Sequence, residues 1–360
     1  IAALILLALI IFVATRPASP APYPDQNTAD TSAPANNNPA NGETTSPSAT
    51  PTADSPIPSP SPTATTATTP VPTPTPTAAP QPTAQPTTTG NSPGNLKNVS
   101  WGMYTSEPSD FSQIEKDLQA TMDIEAVFVG WGSDGDFPAY MSSTTKASGK
   151  TLLIYWEQYG TTLDDIIGGK EDNYIKQFAA SAQAYGGRII LVPFHEMNGN
   201  WDPWDGPVGN NSATKVIAAW RHLHDQFASV SNVKWGWAVN NESVPDTTAN
   251  QLENYYPGDV YVDYVGVDGF NFGQPWQNAA QVFDNTLRRL QAFNKPIYIF
   301  SMASAAGPNK ASWITEALTT EISKWHLAGW VWFNENKEEN WLYNSSPEAL
   351  TAFRSAVANY

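Results

Sequence analysis

The stretch LVPFHEMNGNW, Leu191 to Trp201, carries an apolar, strand-like run into an imidazole and a carboxylate, His195 and Glu196. It then turns through Asn198 and Gly199 to Trp201. A glutamate held at such a point can work as a general acid and base, protonating a leaving oxygen and later taking a proton from water. An acid of this kind usually works with a second carboxyl, which the chain must also supply. A strand-end carboxylate by itself is as readily a structural pairing, so the surrounding elements must decide.

Eight runs of strand length and composition follow one another: VSWGMYT, EAVFVGWG, TLLIYWEQ, RIILVPFHEM, VKWGWAVN, DYVGVDGFN, PIYIFSMAS and LAGWVWFNE. Segments of helical periodicity separate most of them. DNYIKQFAASAQAYG puts Tyr174, Ile175, Phe178 and Ala182 on one face and ends on glycine. SPEALTAFRSAVANY opens with Ser346 as a cap and Pro347 in the first turn. After the fifth run, QLENYYPG offers little helix. Eight such alternations predict a (β/α)8 barrel. A doubly wound sheet is the alternative, but it usually carries a glycine-rich phosphate turn, and no G-x-G-x-x-G or P-loop is present.

The barrel places function at the C-terminal ends of its strands. Those ends carry Tyr104, Trp131, Trp156 with Glu157, His195 with Glu196, Asn240, Asp268 with Asn271, and Trp332 with Asn334. Each alone has a packing explanation. Together they predict a rim of aromatic faces, amides and acids, which suits the flat apolar faces and the hydroxyls of sugars.

Composition divides the chain near residue 96. Twenty of its 31 prolines precede that point, whereas all 14 tryptophans lie at or beyond Trp101. The expected domains are an apolar segment at 1–15, a disordered Pro/Thr/Ser-rich linker at 16–96 and a barrel at 97–360. IAALILLALIIFVATR opens on Ile1 and reads as the core of a signal peptide or as a membrane anchor with residues missing upstream. Either reading exports the remainder, secreted or held at the outer face of a membrane on an extended stalk. The barrel itself is expected to be monomeric. Without cysteine there are no disulfides or thiolate metal sites, and a net charge of −16 argues against nucleic-acid partners. No H-E-x-x-H or comparable ligand spacing occurs on one element, so neither a metal nor another cofactor is expected.

FHEMNGNWDPW, with YVDYVGVDGFN, KPIYIF, NKASWI and VWFNENKEENW downstream, resembles glycoside hydrolase family 26, whose members include β-mannanases and some β-glucanases. The resemblance covers approximately 97–360. It implies a retaining mechanism on β-mannan or a related β-1,4-linked polysaccharide. Glu196 matches the acid/base, His195 and Trp201 match residues lining the subsite around the cleaved bond, and Trp332 matches an aromatic platform. Trp156, Phe270 and Asn271 join the candidate substrate-binding set by their strand-end positions.

Two positions depart from the family pattern. The attacking glutamate closes a run like P-I-M-I-A-E, and in PIYIFSMAS the matching residue is Ser301. No carboxylate lies between Asn294 and Trp313. The family's D-G-Y-N tyrosine, which bonds the nucleophile, is Phe270. A serine would make a poor leaving group here. Asp268 or Glu335 could instead act as a base on a water admitted beside Ser301, which would favour inversion. The sequence therefore supports two readings: a glycosidase, or a sugar-binding relative that lacks cleavage.

Overall fold

The computed structural model describes residues 96–131 and 136–360. The apolar segment and nearly all of the linker expected from the sequence lie outside the described residues. All eight expected strands form: β1 (Ser100–Tyr104), β2 (Ile124–Gly130), β3 (Thr151–Glu157), β4 (Ile189–Pro193), β5 (Val233–Asn240), β6 (Tyr264–Asn271), β7 (Ile297–Ser304) and β8 (Gly329–Phe333). They pair in parallel in sequence order, and β8 closes on β1. The fold is a (β/α)8 barrel.

Helices α1 (Phe111–Leu118), α2 (Ala139–Ala147), α3 (Leu163–Ile167), α4 (Asp172–Tyr185), α5 (Ala213–Gln226), α6 (Ala279–Leu290), α7 (Lys310–Thr315) and α8 (Pro347–Val357) surround it. Their ends follow local chemistry. Ser346 accepts the Ala349 N–H ahead of α8, and Asn278 and Gln281 close a reciprocal capping box on α6. Gly186 ends α4 in the left-handed conformation. Between β5 and β6 the chain makes only short 3₁₀ turns, at Thr248–Asn250, Leu252–Tyr255 and Asp259–Tyr261, as QLENYYPG foretold.

The core has two layers. Leu153, Tyr155, Ile190, Val192, Ala238, Tyr298, Phe300 and Val331 fill the barrel. A larger layer, rich in tryptophan, lies between the strands and the helices. The Phe300 ring fits inside because Gly236 and Gly266 face it, and a Cβ on either would strike that ring. Strand β7 carries one bulge: Val267 pairs with Ile299, yet Asp268 pairs with Ser301. The extra residue brings Ser301 alongside Asp268.

Candidate active site

His195 and Glu196 do not end a strand. β4 stops at Pro193, and the next residues form a turn in which Phe194 (φ 50°) and Glu196 (φ 56°) are left-handed. Such backbone is unfavourable for side chains with a Cβ and persists only when the surroundings impose it. Here they do. Gln158 Oε1 accepts the Phe194 N–H, Glu196 N–H donates to the Ala238 carbonyl of β5 at 3.0 Å, and Trp204 Nε1 donates to the His195 carbonyl. Asn198, wholly buried, accepts the Asn240 N–H at 2.8 Å and donates to the Asn240 and Glu242 carbonyls. The turn is thus fastened to the end of β5 on one side and to the loop after β3 on the other.

The turn delivers His195 between two carboxylates. Its Nδ1 lies 3.5 Å from Asp268 Oδ2 and its Nε2 lies 3.5 Å from Glu157 Oε1. Phe128, Tyr155 and Trp204 surround the ring. Burial alone would push the imidazole down, but Asp268 and Glu157 together raise it well above the ordinary histidine value. His195 thus sits between two acids, one at each ring nitrogen. Burial keeps Asp268 above the usual carboxylate range, with His195 opposing.

Ligand atoms of His195, Glu196 and Asp268 all lie within 4.8 Å of one another. Sequence spacing could not reveal this group, because its members come from the turn after β4 and from β6. Its geometry would admit a cation, yet both nitrogens of His195 already face carboxylates. The same distance bears on the expected base. A Glu196–Asp268 separation of 4.8 Å or less is too short for the inverting arrangement through Asp268. Glu335 instead hydrogen-bonds the Tyr104 hydroxyl at the mouth.

Ser301 lies on the floor of the mouth and is almost wholly buried. Its hydroxyl meets that of Tyr155, which reaches from β3 to the Phe300 carbonyl on β7. Its N–H donates to the Asp268 carboxylate. Continuing from Phe128 beside His195, Tyr104, Phe128 and Phe333 cluster with ring centroids 4.8–6.0 Å apart. Phe270 joins them edge-on through Phe333 and rests on Trp341. The mouth accordingly has an aromatic side, from β1, β2 and β8, and an acidic side built by Glu157, Glu196 and Asp268.

Four expected rim residues, Trp131 among them, stand elsewhere. Trp156 is fully buried behind β3 against Trp131, Tyr174 and Phe178. Trp332 is fully buried behind β8 against Trp313 and Phe353, with its Nε1 on the Trp341 carbonyl. Neither can act as a platform. The reason is strand alternation: if Glu157 and Phe333 face the mouth, Trp156 and Trp332 must face the helices. Asn271 is also fully buried, donating to Ser304 Oγ and accepting the Gly273 and Gln277 N–H groups, so it shapes the loop after β6. Trp201 remains half-buried, its ring packed over Gly199.

Sequence reasoning missed Tyr155, Phe128, Phe333 and the acids of the β4 loop. Tyr155 could have been found by applying the two-residue period inward from Glu157, whereas Phe128 and Phe333 also needed the register of their own strands. Asp202 could not, because a loop has no such period. Asp202 accepts the Tyr159 hydroxyl at 3.1 Å. Burial raises its carboxyl to about 6, with His195 opposing and Glu196 and Glu157 adding to the rise.

An eight-stranded parallel barrel whose acids and aromatic faces gather at the strand ends is the architecture of a (β/α)8-barrel enzyme scaffold. The chain belongs to glycosyl hydrolase family 26, whose family model matches residues 143–354, more than half of its length. It is 38% identical over 282 residues to Endoglucanase H of Acetivibrio thermocellus, covering 74% of this chain and 31% of that protein. The chain thus spans about a third of that relative. A mannan endo-1,4-beta-mannosidase of Bacillus subtilis is 27% identical over 169 residues, which is 44% of this chain and 42% of that one. The catalytic domain of a Bacillus sp. JAMB-750 endo-beta-1,4-mannanase superposes with a TM-score of 0.55 at 17% identity, over 73% of this chain and 86% of that domain. The superposition speaks to the fold.

Proposed function

We propose that this chain is an exported glycosidase of β-1,4-linked polysaccharides, with β-mannan and related β-glucans as substrates and Glu196 as general acid/base. The observation that carries the reading is the position of Glu196. It lies in a strained, fastened turn, beside the His195 imidazole and within 4.8 Å of a second carboxylate, near a cluster of aromatic rings. Such a site protonates a leaving oxygen on one side of a sugar and stacks its apolar face on the other. His195 and Trp201 border the reacting sugar in this reading, and Phe270 and Phe333 face it from the aromatic side. The protein acts as a monomer, outside the cell or anchored at its outer face through the segment at 1–15.

Ser301 and Phe270 support a second reading, a sugar-binding relative without cleavage. Residues 97–360 are to be incubated with mannan, glucomannan and mixed-linkage glucan while reducing ends are measured, alongside the Ser301→Glu/Phe270→Tyr double variant. Release by the unmodified chain supports the glycosidase. Release by the double variant alone supports the binding relative. If neither chain cleaves or binds any of these glycans, both readings fail.

A further inference from the structure

We propose that Asp268 is the second catalytic carboxyl of this site, attacking the anomeric carbon in the role that the Ser301 side chain cannot fill. The inference rests on the glycosidase reading of Glu196. Three observations carry it.

The first is separation. A carboxylate oxygen of Glu196 and one of Asp268 lie within 4.8 Å of each other. That is close to the ~5–5.5 Å spacing of the two carboxyls in retaining hydrolysis and well short of the inverting spacing. The second is placement. The β7 bulge sets Ser301 directly beside Asp268 on the neighbouring strand, so both face the same floor. The two residues, at 4% and 1% exposure, lie about as deep as Glu196 itself at 4%.

The third is an unspent lone pair. Asp268 Oδ2 faces His195 Nδ1, whereas Asp268 Oδ1 is buried without a hydrogen-bond partner. Buried carboxylate oxygens are normally paired, and leaving one bare is costly unless it has another use. With His195 on Oδ2 and the Ser301 N–H on the same carboxylate, the lone pairs of Oδ1 are bound to no protein donor. Glu157 and Glu335 are the other acids at the mouth, but Glu157 faces His195 Nε2 and Glu335 is occupied by Tyr104.

The steps balance. Asp268 Oδ1 bonds to the anomeric carbon as the glycosidic C–O bond breaks, and the Glu196 proton passes to the leaving oxygen. Glu196, now a carboxylate, takes a proton from water. The resulting hydroxyl bonds to the anomeric carbon, and the Asp268 ester bond breaks. Two inversions give net retention, and both carboxyls return to their starting states.

The test traps the ester. The unmodified chain is incubated with activated 2-deoxy-2-fluoro-β-mannobiosyl and β-cellobiosyl fluorides, whose fluorine slows release of the adduct. Intact mass and peptide mapping then locate the label, and proton NMR reads the anomer first released from natural substrate. One glycosyl unit on the Asp268 peptide, its absence in Asp268→Asn, and a retained product are expected. The wild-type map stands even if the variant fails to fold. A label on another residue, cleavage with no trapped adduct, or an inverted product overturns the proposal. Binding of mannan or glucan oligosaccharides by calorimetry separates the two claims. A chain that binds them but neither cleaves nor labels defeats the role of Asp268 and leaves sugar recognition standing, whereas a chain that binds none defeats the glycosidase reading as well.

Discussion

At the scale of single residues, alternation along a strand decides which side chains can meet a ligand. Glu157 and Phe333 face the mouth, so the adjacent Trp156 and Trp332 face the helices and contribute stability instead of recognition. Trp156→Ala is expected to cost about 3–5 kcal/mol of stability through the cavity it leaves. Oligosaccharide affinity of the folded fraction should stay within about twofold, a change small against the factor of ten per 1.4 kcal/mol. Phe333→Ala should do the converse, weakening affinity about tenfold through loss of an aromatic face worth about 1.5 kcal/mol. Urea unfolding and titration calorimetry on both variants separate the effects, and equal losses of affinity would contradict the assignment. These orientations were accessible from the sequence, since the period of two follows from backbone geometry alone. What obscured them was the greater salience of tryptophan over phenylalanine as a sugar platform.

At the scale of elements, the turn after β4 is the device that positions the acid. Its conformation is costly, and hydrogen bonds from β3, β5 and the following loop offset that cost. Asn198 supplies three of them. Asn198→Ala would remove the side-chain partner of the half-buried Asn240 N–H, while the Glu242 carbonyl keeps Asn240 Nδ2, a loss of about 1–2 kcal/mol. It should also lower turnover on any substrate that the unmodified chain cleaves, because Glu196 would no longer be held. Chemical denaturation paired with reducing-end assays checks both effects. Strand and helix existence was legible because long runs of apolar, β-branched and aromatic residues alternate with helical periodicity. The end of β4 was not. FHEM continues the apolar pattern, and nothing local announces left-handed backbone at Phe194 and Glu196. Neighbouring elements impose it.

At the scale of the whole molecule, one buried cation ties two loops of the mouth together. Lys310, at the start of α7, donates to the Asn340 carbonyl beyond β8 and lies over the Trp332 ring. Burial lowers its ammonium to about 7. Its folded value thus lies below its unfolded one. Below about pH 7 both states carry the proton, and the cost of burying it is fully present. From about pH 7 to about pH 9.5 the unfolded chain binds more protons than the folded one, so stability rises with pH. Lys310→Met should remove that rise. Unfolding free energies from urea titrations across this range test the point, and identical slopes in both chains would refute it. Above about pH 10 buried tyrosines act in the opposite sense, since burial raises Tyr155 and ties its proton to the folded state.

The sequence by itself determined the barrel, the order of its elements and the family, and it singled out Glu196 as the candidate acid. Those follow from periodicities and from one run of residues, and each is local along the chain. It also showed what is missing, because a serine at position 301 needs no coordinates to be read. Only the tertiary structure decided what stands opposite Glu196. Asp268, His195 and Glu157 come from three separate strands or turns, and a one-residue bulge in β7 sets Ser301 beside Asp268. Distances between side chains on different strands depend on register and closure, which no local pattern encodes. A second carboxyl missing from one segment is therefore to be sought among the side chains that other segments bring near.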